Sequence, residues 1–198
     1  LHTIAYIFDA TKRTSWIWFA VHHLVVDTVS WGIIRDDLMA AYETGHLNES
    51  QSISYSEWSD HLQRITWSDA VRDYWSILRD GVVEWTAETD HVFTSTKRLQ
   101  VDSFALTSKE TGVLLRASYG SVHSILLASL GKSLQTSTGQ ATNYVTLEGH
   151  GREGEELDLS TTVGWFTSMF PVELSACEDL EESAKIIEVK RSKIPQNG

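Results

Sequence analysis

Residues 21–31 read VHHLVVDTVSW, and the chain changes its period inside them. Up to Val21 the apolar residues are β-branched and aromatic, as in SWIWFAV (15–21), the composition of a strand. From Trp31 onward Trp31, Ile34, Leu38, Ala41 and Tyr42 recur at three- and four-residue steps. That spacing predicts an amphipathic helix over roughly 29–44, ending before Gly45. Asp27 or Thr28 stands where the helix cap belongs. Between the two periods sit adjacent histidines, His22 and His23. Imidazole titrates close to neutrality, so small changes of surroundings decide its charge. Taken alone, the pair is as readily structural as chemical.

The same patterns extend outward. HTIAYIF (2–8) pairs with SWIWFAV across the turn-like DATKRT (9–14). SYSE (54–57) fits a capping box and opens a helix pair running through Trp58, Leu62, Val71, Tyr74, Trp75 and Leu78, with Gly81 where a C-terminal cap belongs. The polar, aperiodic stretch over 84–97 reads as a linker. LQVDSFAL (99–106) resembles a strand, TSKE (107–110) is a second capping box, and two helices run through Leu114 and through Ile125 to Leu134. NYVTLEG (143–149) is a short strand entering the Gly-rich turn EGHGREGEE (148–156). VGWFTSMFPVEL (163–174) is strand-like, with Pro171 marking an edge or irregularity. A charged helix over Asp179–Lys193 stops near Pro195. Strands alternating with helices give an α/β or α+β protein in two lobes.

Composition narrows the class. The 198 residues carry 16 basic and 27 acidic side chains, a net charge of −11 that argues against nucleic acid or an anionic membrane as partner. Only one cysteine, Cys177, is present, so an internal disulfide and a thiolate metal site are excluded, and a reducing, cytoplasmic compartment fits best. The longest apolar run, WIWFAV, is far short of the roughly 20 residues that span a bilayer. The chain opens at Leu1 with no signal-peptide layout and no initiator Met, which reads as a piece of something longer.

Acid–base groups concentrate in two stretches. His22, His23 and Asp27 form the first, and Glu148, His150, Arg152 and Glu153 the second. HHLVVDT resembles the HHxxxDG signature of the condensation-domain superfamily of nonribosomal peptide synthetases, relatives of chloramphenicol acetyltransferase. EGHGRE followed by DLSTTVGWFTSMFPVEL is similar to the pattern of the epimerization branch. SYSEWSDHLQ, DYWSIL and IPQNG follow in the family's order, so the resemblance covers essentially the whole chain.

The resemblance implies a two-lobed, chloramphenicol acetyltransferase-like condensation-domain fold, incomplete at both ends, with residues 1–90 in the N-terminal lobe and 91–198 in the C-terminal lobe. It implies no directly bound cofactor. The substrate would be an aminoacyl or peptidyl thioester on the 4'-phosphopantetheine of a carrier domain, and the partners that carrier and neighbouring synthetase domains. The family's catalytic histidine maps onto His23 and its motif glutamate onto Glu148.

That chemistry suits the residues. Inverting an α-carbon requires removing a proton from one face and returning one to the other, which two flanking acid–base groups do directly. The enolate needs hydrogen-bond donors, and the amides at the helix start, around Val29 and Ser30, are a natural supply. Burial in a tunnel would raise the glutamate's pKa and lower the histidine's. His22 is expected to support its neighbour by hydrogen bonding. Asp27 is expected to cap the helix or pair with an arginine, while His150 and Arg152 shape the turn and tunnel wall. Trp31, His150 and Trp165 could line the channel. Glu148 could instead be a solvated turn carboxylate. Thr28 replaces the motif glycine and could crowd the thioester. Compared with the family, the chain is short, with deletions expected around 85–98 or 116–123, and missing segments would leave sheet faces bare. Two alternatives remain open: a peptide-bond-forming condensation domain, and an inactive remnant or carrier-docking module.

Overall fold

The computed structural model describes residues 1–47, 52–81, 101–152 and 157–198. Strands β1 (His2–Asp9) and β2 (Thr14–Val21) form an antiparallel hairpin in register from His2 opposite Val21 to Asp9 opposite Thr14. Helices α1 (Thr28–Thr44), α2 (Tyr55–Arg64), α3 (Asp69–Gly81), α4 (Ser108–Leu115) and α5 (Val122–Thr138) follow. Then come β3 (Thr142–Gly149), β4 (Ser168–Ser175) and α6 (Leu180–Ser192), with β3 and β4 paired in a second sheet. Among the described residues, the sequence thus anticipated the six α-helices and both strands of the hairpin.

Two stretches depart from expectation. Residues 101–106 adopt no regular structure, and Leu99 and Gln100 lie outside the described residues, as do the linker over 84–97, the deletion candidate at 85–98, and Glu153. In VGWFTSMFPVEL the strand begins only at Ser168. Backbone groups of Gly164, Trp165 and Phe166, just before it, bond to side chains rather than to a neighbouring strand.

Packing gathers the chain into two units. Leu1–Trp67, Glu148–Phe170 and Gln196–Gly198 form one unit, and Ser68–Leu147 with Pro171–Pro195 form another. His23 and Glu148 belong to the same unit.

Local chemistry in the first unit explains where its elements start. The Asp9 side chain accepts hydrogen bonds from the amides of Thr11 (2.9 Å) and Lys12 (3.1 Å), which closes the hairpin turn. The ladder runs on past β2, with the His22 amide donating to the Leu1 carbonyl at 2.8 Å. A single 3-10 turn over His23–Val25 follows, and then α1. The cap of α1 is Asp27, and Gly45 ends the helix in the left-handed region (φ 77°), which a glycine adopts at little cost. At α2 the capping box is present as read, Ser54 and Glu57 satisfying each other's amides. The hairpin keeps Ile4, Ile7, Trp16 and Trp18 exposed.

In the second unit α5 and α6 pack together around Ile125, Leu127, Ala128, Ala184 and Ile187, with Val172 and Leu174 of β4 buried as well. Gly131 lets Leu174 lie close, since a Cβ there would sit 3.3 Å from it. The start of α5 is also tied to α6. The Glu188 carboxylate accepts from the Ser121 amide (2.9 Å) and hydroxyl (2.6 Å). Hydrogen bonds from Ser121 and Ser124, ahead of the Arg191 charge, hold the Glu188 pKa down at about 2. A depressed carboxylate stabilises the fold above its unfolded pKa, and that contribution disappears as pH falls through the folded value. Glu188→Gln is thus expected to lose about 1 kcal/mol at pH 7, most of the interaction being screened by solvent. Wild type and variant should converge between about pH 4.5 and 2 in urea unfolding; a gap unchanged across that range would contradict the assignment.

Candidate active site

The site is built on one buried ion pair. Asp27 is 3% exposed, and its carboxylate holds three elements at once. One oxygen accepts the Ser30 amide at 2.7 Å, capping α1, and the other accepts the Phe166 amide at 3.2 Å. Arg152 Nη2 donates to both, at 3.2 and 3.3 Å. Burial alone would push the Asp27 carboxyl up; the hydrogen bonds from Ser30 and the Phe166 amide, with the Arg152 charge, hold it below the ordinary carboxylate range.

Arg152 is equally committed. Its Nη1 donates to the carbonyls of Leu159 (2.8 Å) and Thr162 (2.7 Å), and Nη2 also reaches Ser30 Oγ at 3.0 Å. The guanidinium carbon lies 4.0 Å from the centre of the Phe166 ring, a cation–π contact. Both roles foreseen for Asp27, cap and arginine partner, are filled together.

The segment 157–167 is strapped to α1 and α2 by side chains. The Ser30 hydroxyl donates to the Gly164 carbonyl at 2.9 Å and accepts the Gly164 amide at 3.0 Å. Tyr55 donates its phenol to the Trp165 carbonyl at 2.8 Å, and Thr162 its hydroxyl to the Ile53 carbonyl at 2.5 Å. These bonds replace strand pairing, which is why Val163–Thr167 lies outside the sheet. Gly151 makes the turn possible: its φ is +63°, and a Cβ there would fall 1.7 Å from the Phe166 carbonyl oxygen.

The straps set a strict alternation. Phe166 and Phe170 are buried, while Trp165, Thr167 and Met169 face the other way and line a cleft of about 200 Å³. His22, His23, Leu24 and Glu148 complete its wall. One cleft thus holds both acid–base candidates, brought from positions 125 residues apart (148 minus 23). The His23 ring meets Trp165 edge-on, centroids 5.9 Å apart. His22 caps the turn that presents His23, its Nδ1 accepting the Leu24 amide at 3.2 Å.

Other expectations are corrected. His23 and Glu148 are exposed, so the burial that was to tune them is not met in this chain. The Ser30 amide is consumed by Asp27 and no residue at the start of α1 lines the cleft, so that helix end does not supply the enolate's donors. Trp31 and His150 do not line the cleft either. Trp31 stands 38% exposed on α1, and His150 Nδ1 accepts the Arg152 amide at 3.2 Å, shaping the turn. Thr28 opens α1 away from the cleft, so it does not crowd it. Thr167, Met169 and Leu24 were missed. The first two share Trp165's parity in the sequence, which an extended reading of 165–169 makes visible.

A histidine and a glutamate thus share one cleft, beside a buried Arg152–Asp27 pair that joins the HHLVVD and EGHGR turns. The profile of the condensation domain matches residues 3–193, and the chain belongs to that family. Its individual kinship is with large synthases. It is 38% identical over 98% of its length to N-(5-amino-5-carboxypentanoyl)-L-cysteinyl-D-valine synthase of Amycolatopsis lactamdurans, and 34% identical over 96% to tyrocidine synthase 2 of Brevibacillus parabrevis. It spans only 5% and 6% of those proteins. Among solved structures it resembles the epimerization domain from the third module of tyrocidine synthetase B, with a TM-score of 0.77 at 33% identity, covering 94% of this chain and 46% of that one. The first condensation domain of the CDA synthetase shares the fold, with a TM-score of 0.72 at 19% identity, covering 100% of this chain and 46% of that one. Among the described residues, no helix is long and apolar enough to cross a membrane.

Proposed function

We propose that this chain epimerizes the α-carbon of an aminoacyl or peptidyl thioester presented on the 4'-phosphopantetheine of a carrier domain. The observation that carries the reading is the shared cleft, which both His23 and Glu148 line. In the proposed reaction the His23 imidazole takes the α-proton, and the C–H electron pair moves into the thioester carbonyl as an enolate. A proton relayed from solvent through the Glu148 carboxyl reaches the opposite face as the carbonyl re-forms. His23 and Glu148 then exchange protons with solvent, so no oxidant or cofactor is consumed. Thr167 and Trp165 line the cleft, and we assign their hydroxyl and indole N–H as donors to the enolate oxygen. Further support comes from a relative at 38% identity, whose name specifies a D-valine in its product.

The test is deuterium wash-in at Cα when an L-aminoacyl-loaded carrier is offered in heavy water. Wash-in is expected with the wild type, to be lost in His23→Ala by about 10²–10⁴-fold and reduced in Glu148→Gln. Dipeptide formation without wash-in would instead assign His23 to deprotonating an acceptor amine in a condensation reaction. Carrier binding with neither outcome would assign a docking role.

A further inference from the structure

His23 is exposed in the cleft, and among the described residues no hydrogen bond reaches its imidazole. A general base is ordinarily held in place by a third group bonded to it. Without one, an exposed side chain spreads over its rotamers, and few of them aim a nitrogen at an α-carbon. What meets this imidazole instead is the indole of Trp165, edge-on, with ring centroids 5.9 Å apart.

The indole is in turn held through its backbone. The peptide group joining Trp165 to Phe166 is clamped at both ends: Tyr55 donates its phenol to the carbonyl at 2.8 Å, and Asp27 accepts the amide at 3.2 Å. Asp27 lies four residues after His23, so one clamp comes from the histidine's own segment. The other comes from α2. The Tyr55 ring is seated independently of its hydroxyl. It lies edge-on to Phe166 at 5.1 Å, in a notch where a Cβ on Gly164 would fall 2.2 Å from it. Tyr55 itself does not line the cleft.

We infer that Tyr55 is a positioning residue: through the Trp165 carbonyl it fixes the indole that aims the His23 imidazole at the α-carbon. The inference rests on the epimerization reading of the cleft. Without the phenol, the peptide is anchored only from its amide end and can tilt, carrying the indole with it. A displacement of about 1 Å at a reacting group can cost about 10²-fold in rate.

The experiment measures Cα deuterium exchange from L- and D-aminoacyl thioesters with the full-length natural protein. Alanyl-, valyl- and phenylalanyl-loaded carriers are offered at saturation, and the pair that the wild type exchanges fastest is used. In the proposed reaction His23 works on the L form and Glu148 on the D form, whereas the donors to the enolate serve both. The ratio of L to D exchange therefore isolates His23. Tyr55→Phe is expected to lower that ratio about fivefold, and Trp165→Ala about tenfold or more. Trp165→Phe, which keeps a ring against His23, should slow both forms yet hold the ratio within about twofold. A general loosening of the segment would slow both enantiomers alike. A ratio that does not fall in Tyr55→Phe, or that falls as far in Trp165→Phe as in Trp165→Ala, would overturn the inference and leave the acid–base reading in place. Absence of exchange from every substrate with the wild type would overturn both.

Discussion

Replacing Arg152 with alanine is expected to cost about 3–5 kcal/mol, the range seen when one partner of a buried ion pair is removed. The reason lies in what stays behind. Asp27 would remain buried with its charge uncompensated, and the carbonyls of Leu159 and Thr162 would lose the donor that reaches each of them. The Leu159 carbonyl keeps the Thr162 amide at 3.2 Å, but losing the Arg152 donor at the Thr162 carbonyl adds its own cost. Arg152→Lys is not expected to restore the wild type, because one ammonium cannot span two carbonyls, a hydroxyl and a carboxylate as a planar fork does. Urea unfolding of the three proteins measures this directly. The strap would also slacken, since Phe166 and Gly164 are fixed by Asp27 and Ser30, which Arg152 holds. Variants within about 1 kcal/mol of wild type would refute the claim that this pair organises the site.

Gly151→Ala is expected to be comparably severe, at about 3–5 kcal/mol, and for a different reason. Positive φ is costly for a residue with a Cβ, and here that Cβ would also meet the Phe166 carbonyl oxygen at 1.7 Å, which only a backbone movement relieves. Gly45→Ala provides the control. Gly45 has a similar φ, +77°, but nothing among the described residues lies within 4 Å of its Cβ position, so only the conformational cost of roughly 1 kcal/mol remains. Unfolding both variants in urea separates strain from collision. Equal losses would mean that the turn around Gly151 relaxes freely, against the tight approach to Phe166.

These two residues mark how far the sequence could be read. Helix starts were legible because capping is local: Asp27, Ser54 and Thr107 each declare themselves within three or four residues. The Asp27 cap and its need for an arginine could be foreseen from the buried-charge rule, and both are present. What stayed hidden depended on contacts across more than a hundred residues. Nothing near Ser30 says that its hydroxyl is spent on Gly164. Likewise VGWFT carries a strand's composition, yet Ser30, Asp27 and Tyr55 outcompete a neighbouring strand for the backbone around it. Grouping by packing was also beyond reach, since the turn after β3 folds against the segment containing His23 rather than with its sequence neighbours.

Proton exchange from separate enantiomers is the most direct measurement. L- and D-aminoacyl thioesters on a carrier are offered in heavy water to wild type, His23→Ala and Glu148→Gln, and Cα deuterium is followed at early times. Groups on opposite sides of one stereocentre predict a crossed pattern: His23→Ala abolishes exchange from the L form and Glu148→Gln abolishes it from the D form, each retaining exchange from the other. Loss of exchange from both enantiomers through only one of the two residues, or no loss through either, would contradict the two-sided cleft.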